Sequence, residues 1–182
     1  MMTTFAVYVE DKPGVLTRVS SLFRRRAFNI ESLTVGHTDQ PGVSRMTIVV
    51  DTDELGARRI EAHIYKLVNV LRVENITLAP GVFRDLAMIK VAATSESRTH
   101  IMQLVDVFRA RVVDVAPDSL IIEITGTEDK IDGLLEVLRP YGVLEMVRTG
   151  RVAMSRGLRA GGAPAETAAK PADEDENIFH SV

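Results

Sequence analysis

Cysteine and tryptophan are both missing from this chain of 182 residues, and only 5% of it is aromatic. Without cysteine there can be no disulfide, no thiolate metal ligand and no cysteine nucleophile. The core has to be aliphatic, and a hydrophobic share of 46% is enough to build one. Histidine is scarce too: His63, His100 and His180 have no partner at ligand spacing, which argues against a zinc site. No apolar run approaches the ~20 residues needed to span a bilayer. The first residues run straight into a strand pattern, with no signal peptide in view, so a cytoplasmic protein without membrane contact is expected. An excess of basic charge is also lacking. Residues 158–182 hold Glu166, Asp173, Glu174, Asp175 and Glu176 against Arg159 and Lys170, a net −3 that equals the charge of the whole chain. Residues 1–157 are therefore balanced, without the basic face of a general nucleic-acid binder.

The patterning divides the chain into two halves and a tail. Thr3–Val9 alternates as a strand, and Leu16, Val19, Leu22 and Phe23 then fall on one helix face. Phe28–Val35 reads as a second strand, Met46, Ile48 and Val50 as a third, with Asp39-Gln40-Pro41-Gly42 turning between them. Ile60, Ile64, Leu67 and Val68 mark a second helix, and Val70–Leu78 a closing strand. The order is β-α-β-β-α-β, the ferredoxin-like arrangement. Beyond Pro80-Gly81 it repeats: Phe83–Ala92 is a strand, Ile101, Leu104, Val105 and Phe108 a helix face, Arg111–Val115 and Leu120–Thr125 a hairpin around Pro117-Asp118. Ile131, Leu134, Leu135 and Leu138 form a last helix face before a Gly142–Thr149 strand. The expected fold is thus α+β, with tandem βαββαβ domains over residues 1–79 and 80–157. Arg151–Gly157 reads as a short polar stretch. The Ala-, Gly-, Pro- and acid-rich tail, 158–182, cannot bury enough apolar surface to fold and is expected to be disordered, its Ile178-Phe179 more a simple extension than a docking motif.

One strand carries a phase slip. Phe28 and Ile30 share one parity, Leu33 and Val35 the other. Side chains alternate with a period of two, so either a bulge near Glu31-Ser32 realigns them or both faces are buried, for instance by a partner chain.

No residue set supports catalysis. The serines lack an ordered His and Asp partner pattern, there is no phosphate-binding glycine loop, and Asp51, Asp53 and Glu54 read as a loop and first helical turn, as do Glu128 and Asp129 after a Thr127 cap. The informative run is instead Glu10-Asp11-Lys12-Pro13-Gly14-Val15-Leu16. It ends a strand and opens a helix, and the N–H groups of Gly14, Val15 and Leu16 form a partly positive helix start suited to a carboxylate. Gly14 has no Cβ to hold a ligand off. An amino-acid ammonium would find Asp11 or the Asn29 side-chain oxygen, and an aliphatic side chain Val15, Ile30 or Val35. Without a ligand the same run reads as Asp11 capping the helix with Pro13 in its first turn. Arg18, Arg24, Arg25 and Arg26 form a basic helix face, either solvated or turned toward an acidic partner.

This run, with Phe28-Asn29-Ile30-Glu31-Ser32-Leu33-Thr34-Val35, resembles the signature of ACT domains, small amino-acid-sensing modules. Adding Ser44-Arg45-Met46-Thr47, His63-Ile64-Tyr65-Lys66-Leu67-Val68-Asn69-Val70, Arg84-Asp85-Leu86-Ala87-Met88-Ile89-Lys90-Val91 and Ser155-Arg156-Gly157, the resemblance is to the regulatory small subunits of acetohydroxyacid (acetolactate) synthase, over residues 3 to 157. It implies a non-catalytic subunit of branched-chain amino-acid synthesis that activates a catalytic large subunit. Its ACT domains would pair into a homodimer and bind valine, or another branched-chain end product, between them. Asp11, Gly14, Val15 and Leu16 of one chain would then face Asn29 and Ile30 of its neighbour, with Val35 in the lining. Thiamine diphosphate, Mg2+ and FAD are implied for the catalytic partner and none for this chain. The family usually has Asn where Asp11 stands, a change that bears on effector affinity. The second domain has Thr94-Ser95-Glu96-Ser97 in place of a Pro-Gly turn, so no amino-acid site is expected there. An ACT-type sensor serving another enzyme or a transcription factor is the alternative.

Overall fold

The computed structural model describes residues 1–157; the tail expectations for 158–182, Ile178-Phe179 included, lie outside the described residues. The first unit is built around β1 (Met2–Glu10), which pairs antiparallel with β3 (Val43–Asp51) on one side and β4 (Val70–Asn75) on the other. β2 (Ile30–His37) lies outside β3, giving the order β2-β3-β1-β4 with β2 at an edge. Helices α1 (Val15–Arg25) and α2 (Glu54–Tyr65) cover one face. Phe5, Val7 and Val9 alternate toward that face and meet Val19, Phe23, Ile60 and Ile64 in an aliphatic core. Each such fully buried side chain contributes about 1.5–3 kcal/mol, so about a dozen of them make up for the scarcity of aromatics.

Two expectations need correcting. Leu16 is not on the core face of α1: it is 43% exposed, and Val15, at 4%, takes its place one residue earlier. The helix begins with Val15 as its first residue, which turns the buried stripe to positions 15, 19, 22 and 23. Leu67 and Val68 do not belong to α2, which stops at Tyr65; both lie in the following turn, where Leu67 still packs on the core and Val68 is 77% exposed.

The phase slip in β2 resolves as a bulge. Its register against β3 shifts between Ile30 and Ser32, which aligns Ile30, Leu33 and Val35 opposite Val50, Ile48 and Met46. All three then face the helix side, and Ile30 and Leu33 pack on the core.

The second unit repeats the order with β5 (Gly81–Ala92), α3 (Ser97–Val107), β6 (Arg111–Val115), β7 (Ser119–Gly126), α4 (Glu128–Leu138), a single 3-10 turn and β8 (Val143–Arg148). Its sheet runs β6-β7-β5-β8, and Ile89, Ile101, Leu120, Ile122, Ile131 and Leu134 lie in its core. The stretch expected to be merely polar contains a further strand, β9 (Val152–Ser155), antiparallel to the first four residues of β5. Of β9 only Ala153 is buried, and it closes a third apolar patch with Ala6, Ile76, Tyr8 and Phe83. That patch covers the face of the first sheet opposite its helices, which is why Thr4 and Ala6 are as buried as Phe5.

Candidate functional site

The turn after β1 has an unusual start. Asp11 N–H donates to Gly42 O (2.8 Å) and Lys12 N–H to Glu10 O (2.9 Å), bending the chain at the end of the strand. Pro13 brings no N–H. Gly14 is the residue preceding α1 and sits at φ 83°, a left-handed conformation that favours glycine. No side chain caps the helix. Val15 N–H reaches Lys12 O at 3.4 Å, and the N–H groups of Gly14, Leu16 and Thr17 have no acceptor among the described residues. These donors, with the positive end of the helix dipole behind them, are what a carboxylate requires.

Asp11 does not cap the helix. Its Oδ1 accepts from Ser44 Oγ (3.2 Å), and its Oδ2 lies 3.3 Å from His37 Nδ1. It ties the turn to the β2–β3 hairpin, and Lys12 pairs with Glu10 at 3.1 Å. Sequence reasoning missed both His37 and Ser44, although Ser44 belongs to one of the motifs noted there.

The remaining candidates divide by position. Val15 has its side chain in the core, so it offers a ligand only backbone. Leu16 and Val35 are both 43% exposed and able to line a pocket. Ile30 is half-buried on the core, and Asn29 donates through Nδ2 to Glu31 Oε1 (2.6 Å), leaving its own Oδ1 without a donor among the described residues. Within one chain the structure brings Asp11, Gly14 and His37 to one end of the first domain. Asn29 and Ile30 lie at the other end, separated by the length of α1, which at 1.5 Å per residue is about 16 Å. Within one chain the candidate residues therefore form two separate groups.

The corresponding turn of the second domain is closed. Thr94 N–H donates to Ser97 Oγ (3.0 Å) and Ser97 N–H to Thr94 Oγ1 (3.2 Å), a reciprocal arrangement that satisfies the helix start from within.

A cleft of about 590 Å³ opens beside the end of β2, between Val35, Thr38, Arg45, Arg72 and β9. The Tyr8 ring lines it with Arg72 4.2 Å and Arg45 5.5 Å from its centroid. Arg24 and Arg25 end α1 exposed, and with Arg26 form no ion pair among the described residues; Arg18 instead donates to Asn69 Oδ1 (2.6 Å). No group of three or more His, Asp or Glu gathers at metal-binding distance among the described residues, and no helix there is long and apolar enough to cross a membrane.

Comparison with known proteins gives a consistent picture. The profile of a family described as AHAS small subunit-like ACT domain matches residues 5–72, and that of the small subunit of acetolactate synthase matches 84–157. A probable acetolactate synthase small subunit from Archaeoglobus fulgidus is 51% identical over 157 residues, 86% of this chain and 98% of that one. The acetolactate synthase small subunit of Mycolicibacterium smegmatis is 51% identical over 160 residues, 88% of this chain and 94% of that one. Among solved structures, the acetolactate synthase small subunit of Thermotoga maritima superposes with a TM-score of 0.82 at 41% identity, covering 87% of this chain and 99% of that one.

Proposed function

This chain belongs to the acetolactate synthase small-subunit family, and from that premise we propose that it is the non-catalytic regulatory subunit of the enzyme in the cytoplasm, activating a catalytic large subunit and making it sensitive to valine. The observation that carries the effector site is the unclosed helix start at Gly14. The donors of Gly14 and Leu16 have no acceptor among the described residues, whereas the equivalent turn in the second domain is closed by Thr94 and Ser97. Both residues are exposed, so water serves these donors when no ligand is present; a carboxylate that replaces it gains the favourable charge–dipole interaction of a helix start, typically about 0.3–1 kcal/mol.

Two chains complete the site. β2 is an edge strand, and antiparallel pairing of two β2 edges about a two-fold axis carries Asn29 and Ile30 of one chain toward the Gly14 turn of the other. The ligand carboxylate then meets the Gly14–Leu16 N–H groups. Its ammonium meets Asn29 Oδ1 or Asp11, and its aliphatic side chain meets Leu16, Ile30 and Val35. Residues 1–79 serve effector binding and dimerisation, and 80–157 serve contact with partners. Thiamine diphosphate, Mg2+ and FAD belong to the large subunit.

The test is calorimetric titration of the chain with L-valine, with L-leucine, L-isoleucine and D-valine beside it, followed by reconstitution with the large subunit. Saturable, stereoselective binding and an activity that rises on mixing and falls with valine are expected. Absence of heat at millimolar L-valine, alone and in the mixture, removes the effector reading. Failure to bind the large subunit favours a sensor serving another enzyme.

A further inference from the structure

The strap joining β8 to β9 crosses from the second domain to β2. It is held at both ends. Thr149 N–H donates to Leu86 O (2.9 Å) and its Oγ1 accepts from Leu86 N–H (3.0 Å), while β9 is paired along Gly81–Arg84. Between these anchors Gly150 passes so close to β2 that an added Cβ would lie 2.5 Å from Thr34 Oγ1, 2.7 Å from Ser32 Oγ and 3.0 Å from Leu33 O. The φ of Gly150 is not in the left-handed range, so proximity alone requires glycine there. The next residue, Arg151, donates its N–H to Ser32 Oγ (2.8 Å). Its guanidinium donates to Thr4 Oγ1 in β1 (3.2 Å), pairs with Glu128 at the start of α4 (3.0 Å) and lies over the Phe83 ring.

Ser32 is where β2 resumes its register after the bulge, and Asn29 and Ile30 lie just before the bulge at Glu31. A bulge leaves one residue unpaired and disrupts the ladder locally, so the strand end before it is held by fewer backbone hydrogen bonds. A fixed contact just beyond the bulge steadies that end.

We infer that Gly150 and Arg151 are positioning residues for the effector edge: the second domain, through this strap, holds β2 in the register that presents Asn29 and Ile30 to the ligand. The inference rests on the valine-site reading above. The second domain therefore touches no effector yet sets the affinity for it.

The test uses the full chain, as wild type and as Gly150→Ala, Ser32→Ala, Gly150→Ala with Thr34→Ala, and Val105→Ala, a core truncation in the second domain away from the strap. Two quantities are measured: the L-valine Kd by calorimetry and, without ligand, hydrogen exchange of the β2 amides paired to β3. Gly150→Ala is expected to weaken valine at least ten-fold and to speed exchange near Ser32 by a similar factor. Ser32→Ala, which removes only the acceptor, is expected to do the same more mildly. Adding Thr34→Ala removes the nearest obstructing atom and recovers part of both losses, and Val105→Ala changes neither. Wild-type affinity and wild-type exchange in Gly150→Ala overturn the inference. If the wild type binds no branched-chain amino acid, the effector reading fails and exchange alone decides the strap, with unchanged protection near Ser32 overturning it.

Discussion

Gly14 carries two separable demands. At φ 83° a residue with a Cβ costs about 1–2 kcal/mol, but a Cβ there would meet nothing within 4 Å. Gly14→Ala is therefore expected to lower stability by about 1–2 kcal/mol in urea unfolding, with no rearrangement. It should weaken valine by at least ten-fold in calorimetry, because the new methyl occupies the approach to the free N–H groups. Asp11 poses the sharper question. Its carboxylate is held by Ser44 and His37, next to donors that await another carboxylate. Removing that charge should help: Asp11→Asn is expected to tighten valine about three- to ten-fold, where ten-fold is about 1.4 kcal/mol. Weaker binding would instead assign Asp11 to the ligand ammonium.

At the scale of elements, legibility followed how many side chains an element buries. The irregularity in β2 could be read because four apolar residues, Phe28, Ile30, Leu33 and Val35, broke a strict two-residue period, but the choice between a bulge and burial of both faces needed the register against β3. The face of α1 was read one residue out of phase at its start, since Val15 and Leu16 are equally apolar and only the Gly14 turn decides which one points inward. β9 was illegible: Val152 and Met154 are exposed, and the one buried residue, Ala153, is too small to register as a pattern. Val68 looked helical by spacing, but the chain leaves α2 after Tyr65. The core stripe of α1 gives a direct check. Phe23 is 1% exposed, and Phe23→Ala is expected to cost about 3–5 kcal/mol in chemical denaturation. At the same helix end, Arg24 and Arg25 complement the dipole and form no ion pair among the described residues. Arg24→Glu and Arg25→Glu should each cost about 0.3–1 kcal/mol, and a fall in affinity for the large subunit, measured by titrating activation, would make this face a docking surface.

Across the whole molecule, two aliphatic cores are joined by the strap and by the small patch of Ala6, Ile76 and Ala153. The candidate residues could be listed from the sequence, and their meeting across two chains came only from the family resemblance. Spacing alone does not show that Asn29 and Gly14 stand at opposite ends of one domain, because that separation is set by the length and direction of α1. The joint between the domains can be loosened alone. Ala153→Asp sets a carboxylate beneath Tyr8 and Phe83 and leaves both main cores intact, so scanning calorimetry should resolve two unfolding transitions where the parent gives one. The late arrival of β9 also has a consequence for biosynthesis. The first domain has all its own strands once Ile76 has been made, yet the lid over Ala6 and Tyr8 is Ala153. At about 5–20 residues per second, a ribosome needs about 4–15 s to cover that interval. For those seconds the nascent chain displays a bare apolar sheet face, the period in which it depends most on chaperones.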